Sequence, residues 1–274
     1  MGQIRNLRSK MERLMLNALG RRRRMVLGCG SVVVFVGAWE IAFSTVVRWD
    51  PFFITKPSLI AAAFREQILG GKLWKDMAVS GEAFLAGFVL AVVVGIPVGA
   101  VMGWRRRAEY ALDPLLTALY ASPLIALAPL LVLTLGVGLS AKVLLVCLLA
   151  VFPFVFNTAA GVRGTDPLLV NVVRSFGGTE RDLYLKVILP GVVPYVVAAA
   201  RIAIGRGLIG ILVGEFYASS EGLGFAISRF GDTYRLPEMF VGILVLAVAA
   251  VAMTEGVRKL EAVVAPWRAA HRDR

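Results

Sequence analysis

The chain has 274 residues, 58% of them hydrophobic, with a mean hydropathy of +0.76 and a formal net charge of +12. A soluble domain is about 45–50% apolar; here the excess is gathered into charge-free runs over 83–104, 114–141 and 143–162, each able to cross a bilayer, which takes roughly 20 apolar residues. The positive charge flanks these runs, which points to membrane topology and anionic lipid headgroups and not to nucleic acid, while Cys29 and Cys147, far apart, and a single histidine, His271, argue against a metal centre or a Cys–His nucleophile.

In chain order, residues 1–24 carry eight positive charges, with Ile4, Leu7, Met11, Leu14 and Ala18 at steps of three and four. That spacing predicts an amphipathic helix lying in the headgroup layer, closed by the basic run Arg21 to Arg24. Six spans follow, at about 25–47, 80–103, 114–136, 139–161, 191–214 and 237–257, so the fold class is an all-α polytopic membrane protein. The transmembrane domain is thus 25–257, followed by a basic tail, 258–274. An even number of spans puts both ends on one side. With both termini cytoplasmic, twenty of the thirty Lys and Arg lie on the inner side and eight on the outer, and Arg201 and Arg206 fall inside a span. No cleavable leader pattern precedes the first span.

The outer segment 48–79 contains a short predicted helix, started by Thr55 or Ser58, carrying Ile60, Phe64 and Ile68, and ended by Gly70-Gly71. The second span sets Gly95, Gly99 and Gly103 at steps of four, a strip that admits close approach of another helix. The third contains Pro123 and Pro129, so it is expected to be kinked or broken. Ser122-Pro123 reads either as a structural kink or as part of a pathway.

The segment 161–190 interrupts the apolar pattern. Asp166 before Pro167 predicts a helix start. Leu168, Leu169, Val172, Val173 and Phe176 follow at helical spacing, and Gly177-Gly178 predicts the stop. Thr179 caps a second short helix with Glu180 and Asp182 in its first turn. Leu189-Pro190 is expected to break the chain before the fifth span. The product is a compact helix–turn–helix joined stiffly to a membrane helix, able to transmit a displacement that a loose loop would absorb.

Arg201 and Arg206 lie inside the fifth span, where a charge costs at least about 2.5–3.5 kcal/mol unless paired, hydrated or buried in the bundle. One of them lines an anion pathway, or they hold Glu215 or backbone carbonyls. Five residues apart, they stand about 140° apart around a helix. Glu215, Tyr217, Ser219, Ser220 and Glu221 precede Gly222-Leu223-Gly224, the place for a gate or for contact with a binding protein, or a plain glycine turn. Glu40, beside Trp39, reads as a side chain snorkelling to the outer interface.

The interrupting segment resembles the cytoplasmic "EAA" loop of ATP-binding-cassette (ABC) importer permeases: three residues, E-A-A, then three more, a glycine, nine more, and I-x-L-P. Asn171-Val172-Val173, Gly177, Val187 and Leu189-Pro190 take those places with the spacing intact. The departure is Asn171, where the family has the acid that helps anchor the loop; Arg174, Glu180, Arg181 or Asp182 would carry that contact instead. KPS at Lys56, GIPVGAVMG in the second span, NTAAGVR at Asn157, ARIAIGRGLIG at Ala200 and GLG at Gly222 are similar to permeases of the nitrate, sulfonate and taurine type, over roughly 50–265.

The resemblance implies a type I ABC importer fold with the amphipathic start as its elbow helix. It implies a bacterial inner-membrane subunit that is not itself catalytic and binds no cofactor, ATP and Mg residing on two partner ATPase subunits. The sequence agrees, having no G-x-x-x-x-G-K-[ST] phosphate cradle. Further implied partners are a second permease copy in a homodimer and a periplasmic or lipid-anchored binding protein, delivering a small, anionic solute. A secondary anion carrier driven by an ion gradient is the alternative, though no internal repeat supports it; a membrane scaffold is a third.

Overall fold

The computed structural model describes residues 27, 28, 30–46 and 55–264. The predicted elbow helix 1–24, Cys29, and residues 265–274 of the basic tail lie outside the described residues. The described chain is helical, without strands. Its elements are α1 (Gly30–Thr45), α2 (Pro57–Leu69), α3 (Lys72–Trp104), α4 (Arg106–Ala121), α5 (Ala128–Leu135), α6 (Leu139–Arg163), α7 (Pro167–Ser175), α8 (Glu180–Leu183), α9 (Leu189–Ala218), α10 (Leu223–Asp232) and α11 (Leu236–Val264).

The centre is built by α3, α6 and α9, packed side by side. Glycine makes the first contact possible. A Cβ placed on Gly87, Gly95, Gly99 or Gly103 of α3 would come within 3 Å of backbone oxygens and side chains of α6, from Val143 to Val162. Ala91, fully buried, completes the four-step series. Small residues at this spacing let two helix backbones touch and gain dispersion contacts that lipid cannot supply. Gly210 of α9 meets Val146 of α6 in the same manner. Around this contact Ala91, Cys147, Ala150, Phe154, Ala199 and Ala203 form one buried cluster. Cys147 is buried in this cluster.

Among the described residues, four helices are long and apolar enough to cross a membrane: Lys72–Trp104, Leu139–Arg163, Glu180–Tyr217 and Leu236–Glu261. The predicted first span corresponds to the shorter α1 within the described residues. The predicted third span is not one helix. α4 starts eight residues earlier, at Arg106, and together with the segment Leu124–Leu135 it is bent by 81°. Ser122 sits in extended backbone ahead of Pro123, as a residue before proline prefers, and a 3₁₀ turn, Leu124–Leu127, leads into α5. Pro129 is no second break: it occupies the first turn of α5, where its missing N–H costs nothing.

The short helix before α3 starts at Pro57, with Lys56 as its N-cap residue and no side-chain cap of its own. The capping acceptor is remote. Glu40 of α1 accepts from the Ser58 backbone N–H and hydroxyl, both at 2.9 Å, with Lys56 at 3.8 Å. Glu40 is therefore bound at the N-terminus of α2, a position favoured by the helix dipole, and is not a free snorkelling carboxylate.

Candidate functional site

The predicted helix–turn–helix is present, and its ends are made as the local code requires. Asp166 Oδ1 accepts from Leu168 N–H at 2.8 Å, opening α7 ahead of Pro167. α7 closes in a Schellman turn: Gly178 N–H reaches the Val173 carbonyl at 2.9 Å, Gly177 N–H reaches Arg174 at 3.0 Å, and Gly177 holds φ +73°. A Cβ at Gly178 would collide with Val173. Thr179 and Asp182 then form a capping box, the Thr179 N–H donating at 3.0 Å and its hydroxyl at 2.6 Å. The Lys186 ammonium pairs with the Asp182 carboxylate at 2.7 Å. Arg174 and Glu180 pair across the turn at 3.3 Å.

The hairpin is two-faced. Val170 and Val173 pack inward on a cluster of Val162, Leu183, Ile188 and Val192. Leu168, Leu169, Val172 and Phe176 face outward, and Phe176 is 88% exposed. Asn171 and Arg181 are exposed beside them, and Arg181 has no ion pair among the described residues.

Leu189-Pro190 does not break the chain, contrary to the sequence expectation. α8 passes through a π turn, Tyr184–Ile188, into α9, giving one helix from Glu180 to Tyr217. The wider turn moves the hydrogen bonding to i→i+5, with Leu189 N–H on the Tyr184 carbonyl, and Pro190 falls in the first turn after it, where the missing donor is tolerated.

The two arginines of α9 diverge. Arg201 pairs with Glu261 of α11. Arg206 has no carboxylate partner among the described residues and lies with its guanidinium 4.4 Å from the centroid of the Tyr120 ring. Tyr120 itself packs on Phe152 and Phe156 at 5.6 and 5.5 Å. It precedes the break at Ser122-Pro123, both exposed, with the Ser122 hydroxyl bonded to the Ala118 carbonyl. Neither arginine meets Glu215.

Glu215 is fully buried at the far end of α9 from the hairpin. Its carboxylate accepts from the Ser80 hydroxyl at 2.8 and 2.9 Å and from Gly224 N–H at 2.7 Å, and Lys142 Nζ lies 3.9 Å away. Ser80 in turn accepts from Leu223 N–H, Asp76 accepts from Gly222 N–H, and Lys142 donates to Ser219. The turn before α10 is thus tied to α3 and α6 through five side chains. Sequence reasoning singled out Glu215 and the Gly222-Leu223-Gly224 turn but missed Asp76, Ser80 and Lys142. The available signal was three polar residues at positions that now prove buried; their partners lie too far along the chain to be paired by spacing.

Comparison with known proteins agrees with this architecture. The profile of the family described as "Binding-protein-dependent transport system inner membrane component" matches residues 91–257. The taurine transport system permease protein TauC of Escherichia coli is 28% identical over 250 residues, 89% of this chain and 90% of that protein. The putative aliphatic sulfonates transport permease protein SsuC of Bacillus subtilis is 33% identical, covering 86% of this chain and 85% of the relative. The formylaminopyrimidine transport permease protein ThiX of Halalkalibacterium halodurans is 32% identical, over 84% and 91%. Among solved structures, the methionine ABC transporter MetNI in an inward-facing conformation aligns with a TM-score of 0.57 at 17% identity, over 77% of this chain and 99% of that one, which shows the type I importer fold. Capped hairpin, glycine-packed bundle and family match agree: the chain belongs to the binding-protein-dependent transport system inner membrane component family, as a permease subunit of an ABC importer of the nitrate, sulfonate and taurine type.

Proposed function

We propose that this permease works as a homodimer with two ATPase subunits beneath it, both termini cytoplasmic, and passes a small sulfonate-class anion received from a binding protein on the opposite side. The observation that carries the coupling is the α7–α8 hairpin. Its outer face, Leu168, Leu169, Val172 and Phe176, is apolar and uncovered, and its second helix runs without a break into α9. Asn171, Arg174, Glu180 and Arg181 supply the polar rim of that contact in place of the absent acid; Gly177, Gly178, Asp182, Leu189 and Pro190 give the hairpin its shape. ATP and Mg act on the partner subunits. Their closure displaces the hairpin, and the continuous helix carries the displacement to Arg206 about 40 Å along its axis, at 1.5 Å per residue.

The pathway assignment follows the same geometry. Arg206, without a carboxylate partner among the described residues and stacked on Tyr120 beside the broken helix at Ser122-Pro123, is the anion contact. Arg201, engaged with Glu261, fastens α9 to α11. Glu215 holds the turn that closes the other end of the bundle. The relatives named for taurine and aliphatic sulfonates support a sulfonate-bearing substrate.

The test is reconstitution of the permease with its ATPase and binding protein. Cysteine crosslinks from Gly177 or Arg181 should capture the ATPase, and Arg206→Gln should abolish sulfonate uptake while the complex still assembles. Sulfonate uptake by the chain alone in liposomes, without any ATPase, would identify it as a gradient-driven carrier and end this reading.

A further inference from the structure

A second charged site lies at the hairpin end of the bundle, against the inward-facing residues Val170, Leu183 and Ile188. A cavity of about 810 Å³ opens between the end of α3, the first turn of α4, the end of α6 and the hairpin. Its volume is that of a small-ligand site. Arg106, Arg163 and Arg174 line it against Glu109 and Glu180. Arg163 is paired with Glu109 and Arg174 with Glu180, so the charge left over belongs to Arg106, which has no ion pair among the described residues. Thr165 also lines the cavity, and its hydroxyl is shut off from solvent without a hydrogen-bond partner among the described residues. A buried hydroxyl left unbonded is costly and calls for a partner. α4 begins here with no side chain capping its N-terminus, leaving first-turn N–H groups available to an anion.

We propose that this cavity binds a phosphate group, held by Arg106 and the Thr165 hydroxyl, and that the group is the headgroup phosphate of an anionic lipid. A guanidinium fork matches phosphate oxygens in pairs. The cavity sits where the apolar length of α3 ends, with Trp104 on its wall, stacked edge-on to Tyr184 at 6.0 Å. Aromatic residues of this kind mark the headgroup level, and basic pockets between membrane helices on the cytoplasmic side take anionic headgroups. An occupant touches both the α3–α4 corner and the hairpin, so it fastens the lever to the bundle. The proposal rests on the cytoplasmic placement of the hairpin given above.

The experiment uses the full permease–ATPase complex in phosphatidylcholine nanodiscs, with spin-labelled phosphatidylglycerol titrated in one arm and inorganic phosphate in the other. Arg106→Gln and Thr165→Val should weaken retention of the site's occupant by about fivefold to tenfold, whereas Arg107→Gln, which removes the same charge beside the cavity without lining it, should not. Immobilised phosphatidylglycerol that millimolar phosphate fails to displace identifies the lipid as source. Saturable phosphate binding that depends on Arg106, without lipid immobilisation, identifies a soluble phosphate at the same site. Equal losses in Arg106→Gln and Arg107→Gln, or no saturable binding in either arm, would overturn the site. Retention is read without turnover, so a complex that binds lipid but hydrolyses no ATP refutes the coupling reading, not this one.

Discussion

The two ends of α9 handle polarity in opposite ways. At the Glu215 end, Asp76, Ser80, Lys142 and Glu215 are all buried, and their bonds are directed at one another and at the backbone of the turn before α10. Within the hairpin itself the ion pairs face solvent and are short-range along the chain, and it is the apolar residues that have no cover. Buried polar groups that satisfy each other fix one arrangement, because every alternative leaves a charge unpaired in a medium that cannot solvate it. Exposed ion pairs fix little, and an uncovered apolar face gains by meeting a partner. One end therefore holds a single arrangement; the other leaves an apolar face open.

The comparison is most severely tested at Glu215. Glu215→Ala should strand Lys142 and cost about 3–5 kcal/mol, enough to remove monodisperse protein in size-exclusion chromatography. The double variant Lys142→Met with Glu215→Leu should recover much of that loss, and failure to recover would mean that the charge pair is not what locks this end. Gly99→Val sharpens the role of the α3–α6 contact behind both ends: the added side chain meets the Val155 carbonyl and Thr158, and overpacking should lower stability by about 1–3 kcal/mol in a thermal melt. At the hairpin, Phe176→Ser should leave the melting temperature of the isolated permease unchanged yet weaken ATPase capture about tenfold, as loss of a single anchoring aromatic does. The smallest effect is expected from Thr179→Ala, which removes the capping box and should cost about 0.5–2 kcal/mol locally, seen as faster hydrogen exchange in α8 with global stability retained. A Phe176 variant that unfolds the permease, or a Glu215 variant that does not, would erase the contrast.

The hairpin was legible in the sequence because every feature that shapes it acts within a few residues: Asp166 on Leu168, Gly177 after Phe176, Thr179 on Asp182. The α3–α6 contact was legible from a four-residue period in one helix, though not which helix it met. Leu189-Pro190 is misleading because proline signals a break, whereas the π turn before it places the ring in a first turn. The ties at Glu215 were opaque for a different reason. Ser80 is 135 residues from Glu215, and Lys142 is 77 from Ser219; only the packing of α3, α6 and α9 brings them together. Arg201 and Arg206 showed as anomalies in the sequence, but their separate fates on Glu261 and Tyr120 depend on where α11 and α4 lie.

The glycine strip has a mechanical corollary. With Val143, Val151, Val155 and Ala159 carbonyls seated where side chains would stand on a larger helix, α3 and α6 have no cushion of flexible atoms in which to slide or roll. They must travel as one fused beam. Any swing between inward- and outward-open shapes then has its joints elsewhere, at the elbow around Ser122-Pro123 and along the seams of α4 and α11, where the contacts are looser and the bulk can shear.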